Sequence, residues 1–140
     1  MKLFFDVNVI LDVLTSREPW VAESAATLSL LDGDDVQGFI AAHTVTTLHY
    51  LTGRHLDRQR ANAAMLDLLN MFRIVPVEKN TLLQALSITA PDFEDAVQAV
   101  CAMNIGADYL ITRNARDFHS LGLQALSPAE FLALFRSSAE

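Results

Sequence analysis

Five apolar runs limit what this chain can fold into: "KLFFD" (2–6), "GFIAA" (38–42), "RIVPV" (73–77), "DYLIT" (108–112) and a short "LQAL" (123–126). Several lack the alternation of a strand with one wet face, so they read as strands buried on both faces. Helix-like segments lie among them at roughly 8–14, 19–32, 44–55, 57–72, 79–88, 93–105 and 128–137. Pro19 stands near the second helix start, and "SPAEF" (127–131) combines a Ser N-cap, Pro at the first helical position and Glu at the third. Gly106 suits a helix C-terminus. Strands and helices taken in turn predict an α/β fold, a three-layer α/β/α sandwich with a mainly parallel sheet of four to five strands. In such sheets a functional site belongs at the carboxyl ends of the strands, around the switch in strand order.

A length of 140 residues predicts a single domain spanning 1–140, able to bury roughly two thirds of the surface its unfolded chain exposes. Hydrophobic residues make up 51% and charged residues 19%, which excludes a disordered chain. The single cysteine, Cys101, allows no internal disulfide and fits a reducing compartment. Asp6 and Asp12 interrupt the apolar opening before it reaches the form of a signal peptide, and no stretch approaches the roughly 20 apolar residues of a membrane span. A cytoplasmic protein with no membrane partner is expected. The formal net charge of −7 argues against nucleic-acid binding through a broad basic face. It leaves open a carboxylate site that meets a polyanion through metal ions. "GRHLDRQR" (53–60) gathers three of the eight arginines, either as a local basic patch or as a solvated helix end.

Three places carry an acid where a strand hands over to a helix. "FFDVN" puts Asp6 at a strand end, with Asn8 placed to cap the helix that follows. "APDFEDAVQAV" opens a helix with Asp92 as N-cap and Asp95 at the third position. "LITRNARDF" leaves a strand at Thr112, with Asn114 as N-cap and Asp117 three residues on. Acids in a first turn also serve capping and the helix dipole, at about 0.3–1 kcal/mol each. Asp6 is harder to explain that way, because a carboxylate inside "LFFDVNVI" costs several kcal/mol unless it is paired. If the strands ending at Asp6 and Thr112 are neighbours, Asp6, Asp95 and Asp117 approach one another. Two carboxylates ~4 Å apart repel by about 4 kcal/mol at an effective dielectric near 20, so the cluster needs a counter-charge or a proton. All-oxygen donors favour Mg²⁺ or Mn²⁺ over zinc.

The ordered set "FFDVNVILD", "PDFEDAVQA" and "ADYLITRNARDF" followed by "LSPAEFL" resembles the PIN-domain family, close to the VapC-like ribonuclease toxins of bacterial toxin–antitoxin pairs. The resemblance spans almost the whole chain. It implies a Mg²⁺- or Mn²⁺-dependent endoribonuclease whose metal-binding, catalytic acids fall on Asp6, Asp95 and Asp117. It leaves Asp92 as either an extra metal ligand or a group supporting one, and implies Asn8, Thr112 and Asn114 as polar support of the metal or its waters. Arg113 or Arg116 would steady the substrate phosphate. It also implies an RNA substrate and a small antitoxin partner; the apolar helices at 19–32 and 57–72 are candidate antitoxin or homodimer surfaces, the alternative being that "AMLDLLNMF" (64–72) is simply core.

One position departs from the family pattern. Aligning Thr44 of "AAHTVTTLHYL" with the pattern's threonine leaves Thr47 where an acid, most often glutamate, is usual. The neighbouring His43 and His49 are the alternative donors there. The neutral hydroxyl motivates a second class of function, a catalytically weak or silent PIN-like module that binds RNA or a protein. A phosphoacceptor domain is disfavoured because Lys2 and Lys79 do not stand at a late strand end, and no Gly-rich phosphate loop is present. Asp12 reads as a helix-surface acid, and Cys101 as a buried structural thiol.

Overall fold

In a computed structural model, which describes residues 1–138, the chain forms five strands and seven α-helices. The order is β1 (Lys2–Phe5), α1 (Val7–Leu14), α2 (Val21–Ser29), β2 (Gln37–Ala41), α3 (Ala42–His55), α4 (Arg58–Met71), β3 (Arg73–Val75), α5 (Lys79–Leu86), α6 (Phe93–Asn104), β4 (Tyr109–Ile111), β5 (Ala125–Leu126) and α7 (Pro128–Ser138). Single 3₁₀ turns follow α2 and fill the connection from β4 to β5. The strands form one all-parallel sheet in the order β3-β2-β1-β4-β5. This is the expected three-layer sandwich.

Pleating decides which layer each strand residue meets. Leu3 and Phe5 of β1 pack with residues of α1, α2, α3, α4 and α7 on one face. Phe4 points the other way, into a cluster with Ala85 of α5 and with Ala96, Val97, Val100 and Cys101 of α6. Both faces of the central strands are therefore dry, which accounts for their unbroken apolar sequence. Gly38 lets the layers close on β2: a Cβ there would meet Leu31 at 2.6 Å and Phe72 at 3.0 Å.

Helix ends follow their local chemistry. Ser127 and Glu130 exchange hydrogen bonds at the start of α7, Ser127 N–H to Glu130 Oε1 at 3.0 Å and Glu130 N–H to Ser127 Oγ at 3.1 Å. Gly106, just beyond α6, takes φ +64, where a side chain would be strained. The segment expected as one helix over 19–32 begins instead at Val21 and finishes in a 3₁₀ turn over Leu30–Asp32. The arginines of 53–60 are exposed across the end of α3 and the start of α4, and Arg60 pairs with Asp57 at 3.7 Å. No described helix is long and apolar enough to cross a membrane.

Candidate functional site

Asp6 stands where β1 releases the chain into α1, beside the carboxyl end of β4. Its N–H donates to Ile111 O at 2.9 Å, extending the pairing of β1 with β4. The side chain follows Phe4 toward the α6 layer and is 3% exposed. Gln98 Nε2 donates to Asp6 Oδ1 at 3.1 Å, and Thr112 Oγ1 donates to Asp6 Oδ2 at 2.8 Å. Thr112 Oγ1 in turn accepts from Asn114 N–H at 3.1 Å. Asp6 occupies the N-cap position of α1, yet its carboxylate makes no cap bond because it is drawn across to α6 and β4. The helix consequently starts one residue early, and Asn8 lies inside its first turn instead of capping it.

The opening of α6 brings a second group of acids. Asp92 is the N-cap, and its Oδ1 accepts from Asp95 N–H at 2.8 Å. Burial, then the charges of Asp92, Asp6, Asp117 and Glu94, push the Asp95 carboxyl from its ordinary 3.8 up to about 7. Burial, Asp92 and Asp6 also raise Glu94. Asp117, exposed at the end of the 3₁₀ turn Ala115–Asp117, completes the set, its N–H donating to Asn114 O at 3.0 Å. Acids from three distant stretches thus act on one carboxyl group.

Uncompensated negative charge and an all-oxygen donor set fit a hard divalent cation in chemistry. A further acceptor points the same way: Gln98 Oε1 is buried beside Asp6 and has no hydrogen-bond partner among the described residues. The side chains do not close around an ion as they stand, since among the described residues no three His, Cys, Asp or Glu are arranged to hold one. Beside the acids opens a cleft of about 500 Å³, lined by Arg113, Asn114, Ala115, Arg116, Asp117, His119 and Glu130. Asp117 is the acid shared by cluster and cleft.

Several residues sit differently from expectation. Asp12 is not a helix-surface acid: it is fully buried, and Arg113 Nε lies 2.9 Å from its Oδ2. The pair is close but poorly aligned, for neither Asp12 oxygen nor Arg113 Nε makes a well-directed hydrogen bond among the described residues. The other face of the contact is Trp20, whose ring centre lies 4.0 Å from the Arg113 guanidinium carbon. Asn114 heads its 3₁₀ turn without a side-chain cap bond. Thr47 Oγ1 bonds to the carbonyl of His43, 3.3 Å away in its own helix, so it adds no charge to the site. Both ring nitrogens of His43 are buried without partners among the described residues, and burial lowers its pKa. His49 Nε2 is used elsewhere, 2.7 Å from Asn62 Oδ1. Cys101 is buried and free, its thiol pushed up to about 11, as suits a structural residue.

Gln98 was not legible as a site residue. Its one signal is a lone amide in the apolar run "AVQAVCA", three residues after Asp95 and four after Glu94, hence on their helix face. His119 and Glu130 were equally silent, being brought to the cleft by the connection that joins β4 to β5 and α7.

Fold and site define a class: a parallel α/β domain with an acidic cluster at the carboxyl ends of its central strands. A family model described as PIN domain matches residues 2–116, and the chain belongs to that family. It is 26% identical over 135 residues to ribonuclease VapC1 of Aquifex aeolicus, covering 93% of this chain and 92% of that protein. Among solved structures, Mycobacterium tuberculosis VapC20, a sarcin-ricin loop cleaving toxin, superposes with TM-score 0.71 at 16% identity, over 90% of this chain and 99% of that one. VapBC2 of Rickettsia felis, bound to a DNA fragment from its promoter, gives TM-score 0.69 at 14% identity, over 91% and 98% of the two chains. At those identities the structures establish the shared fold.

Proposed function

We propose that this PIN-domain protein is a Mg²⁺- or Mn²⁺-dependent endoribonuclease and the toxin of a toxin–antitoxin pair. The observation that carries the reading is the acidic surrounding of Asp95, whose carboxyl is raised by burial and by the charges of Asp92, Asp6, Asp117 and Glu94. The named relatives support the ribonuclease and toxin parts. Asp6, Asp95 and Asp117, with Asp92 beside them, would hold the metal. When bound, such an ion would offset phosphate charge and lower the pKa of water for attack on phosphorus. Gln98 and Thr112 hold the plane of the Asp6 carboxylate from both sides. Asn114 steadies Thr112, and the exposed Arg116 faces the cleft where an RNA backbone would lie. The partner is a small antitoxin, in keeping with the VapBC complexes that share the fold.

The test is RNA cleavage by purified protein with and without Mg²⁺, beside Asp6→Asn. Cleavage that needs the ion and is lost in the variant is expected. Equal activity in both proteins rejects Asp6 as a ligand.

Thr47 favours a second reading, a catalytically silent RNA- or protein-binding module, because its hydroxyl is spent on its own helix. Calorimetric titration with Mn²⁺ separates the two. Binding that disappears in Asp117→Asn supports the nuclease, while activity that appears only in Thr47→Glu supports the silent module.

A further inference from the structure

The Asp12–Arg113–Trp20 contact lies outside the acid cluster and needs an explanation of its own. A fully buried carboxyl needs a counter-charge or a proton, and Arg113 is the closest counter-charge. Burial raises Asp12 most, Arg113 and then Arg17 pull it down, and Asp6 pushes it up again. Asp12 belongs to α1, the helix that Asp6 heads. Arg113 directly follows Thr112, which bonds Asp6, and directly precedes Asn114, which bonds Thr112. Its guanidinium is packed on Trp20 and drawn toward Asp12, with the side chain 19% exposed.

We propose that Arg113 is a positioning residue and not a phosphate contact: pinned between Asp12 and Trp20, it locks the turn bearing Thr112, Asn114 and Asp117 onto α1. The lock sets the distance between the two chain segments that carry Asp6 and Asp117. A planar guanidinium suits the task, since it pairs with a carboxylate at its edge while stacking on an aromatic face. The lysine ammonium, a compact point charge without a planar fork or face, cannot make both contacts in that geometry at once. The proposal rests on the nuclease reading for its catalytic consequence, but the lock itself is testable without activity.

The experiment compares the parent with Asp12→Asn, Arg113→Met and the double variant, and with the milder Arg113→Lys and Trp20→Phe should the first three fail to fold. Amide hydrogen exchange over 112–118 is read first, with β2 as internal control. Exchange at 112–118 faster by about tenfold or more, with β2 unchanged, is expected in each single variant, and the double variant should be no worse than the worse single one. Mn²⁺ affinity should fall by about fivefold or more. For RNA cleavage, kcat should fall about tenfold with KM within about twofold.

Three results overturn the proposal. One is a rise in KM confined to Arg113 variants while Asp12→Asn behaves as the parent, the signature of a phosphate contact. The second is unchanged exchange at 112–118 and unchanged Mn²⁺ affinity with only a lower melting temperature, the signature of a purely structural pair. The third is additive effects in the double variant. If the parent cleaves no RNA, the nuclease reading falls, and the exchange and Mn²⁺ data still decide the lock.

Discussion

Asp6 is held by two donors from far along the sequence, Gln98 at a separation of 92 residues and Thr112 at 106. Hydrogen bonds to a charged group are worth about 1.5–3 kcal/mol, so Thr112→Val should lower unfolding free energy by that amount in urea titrations. Gln98→Leu keeps the volume and removes the donor together with the orphaned Oε1. It should weaken Mn²⁺ binding by roughly tenfold, measured by calorimetry, while the far-ultraviolet spectrum stays that of the parent. Asp95 makes a pH prediction. Its folded pKa lies above the ordinary value, so the protonated form is favoured by folding. The stability this contributes is complete below 3.8 and is lost as pH rises through about 7. Asp12, also raised, adds a trend of the same sign. In chelator the melting temperature should therefore be higher near pH 5 than near pH 8, and Asp95→Asn should flatten that slope.

The first turn of α6 serves two purposes at once. Asp92 Oδ1 caps Asp95 N–H, while the charge of Asp92 raises both Glu94 and Asp95. Asp92→Ser separates the two roles, because serine caps as well as aspartate but carries no charge. Stability should stay within about 0.5 kcal/mol of the parent by urea titration. A fall of a few-fold in Mn²⁺ affinity is expected if Asp92 helps hold the ion; unchanged affinity would leave it a cap alone. Such caps are readable in sequence because a residue and its partner lie three apart: Asp92 with Asp95, and Ser127 with Glu130. Asn8 misled for the converse reason: it stands where local geometry favours capping, but the chain turns into α1 at Asp6, whose carboxylate bonds to α6 and Thr112. Asn114 does head its 3₁₀ turn as expected, though without a side-chain cap bond.

At the scale of the whole molecule, a net charge of −7 repels RNA, and the exposed arginines of 53–60 are only a small counterweight. The nuclease reading then expects RNA affinity to depend on the divalent ion. Filter binding with Asp117→Asn in chelator should show weak retention, and the parent with Ca²⁺ or Mn²⁺ should show clear retention. Strong retention in chelator would move recognition to the basic patch. Sheet order explains how the site forms at all. With β1 central between β2 and β4, the ends of β1 and β4 adjoin, and Asp6 meets Thr112 across 106 residues of sequence.

The sequence by itself determined the elements and the positions of their acids. Unbroken apolar runs mark strands dry on both faces, caps mark helix starts, and both are encoded within a few residues. It also marked Asp6 as a carboxylate that needed a partner. Only the tertiary structure decided who the partners are: Gln98 and Thr112 for Asp6, and Arg113 for Asp12, which the sequence had assigned to solvent. Those pairs depend on strand order and on which helix covers which face. A buried charge chooses its partner from whatever the completed sheet brings within about 3 Å, and no local pattern contains that choice.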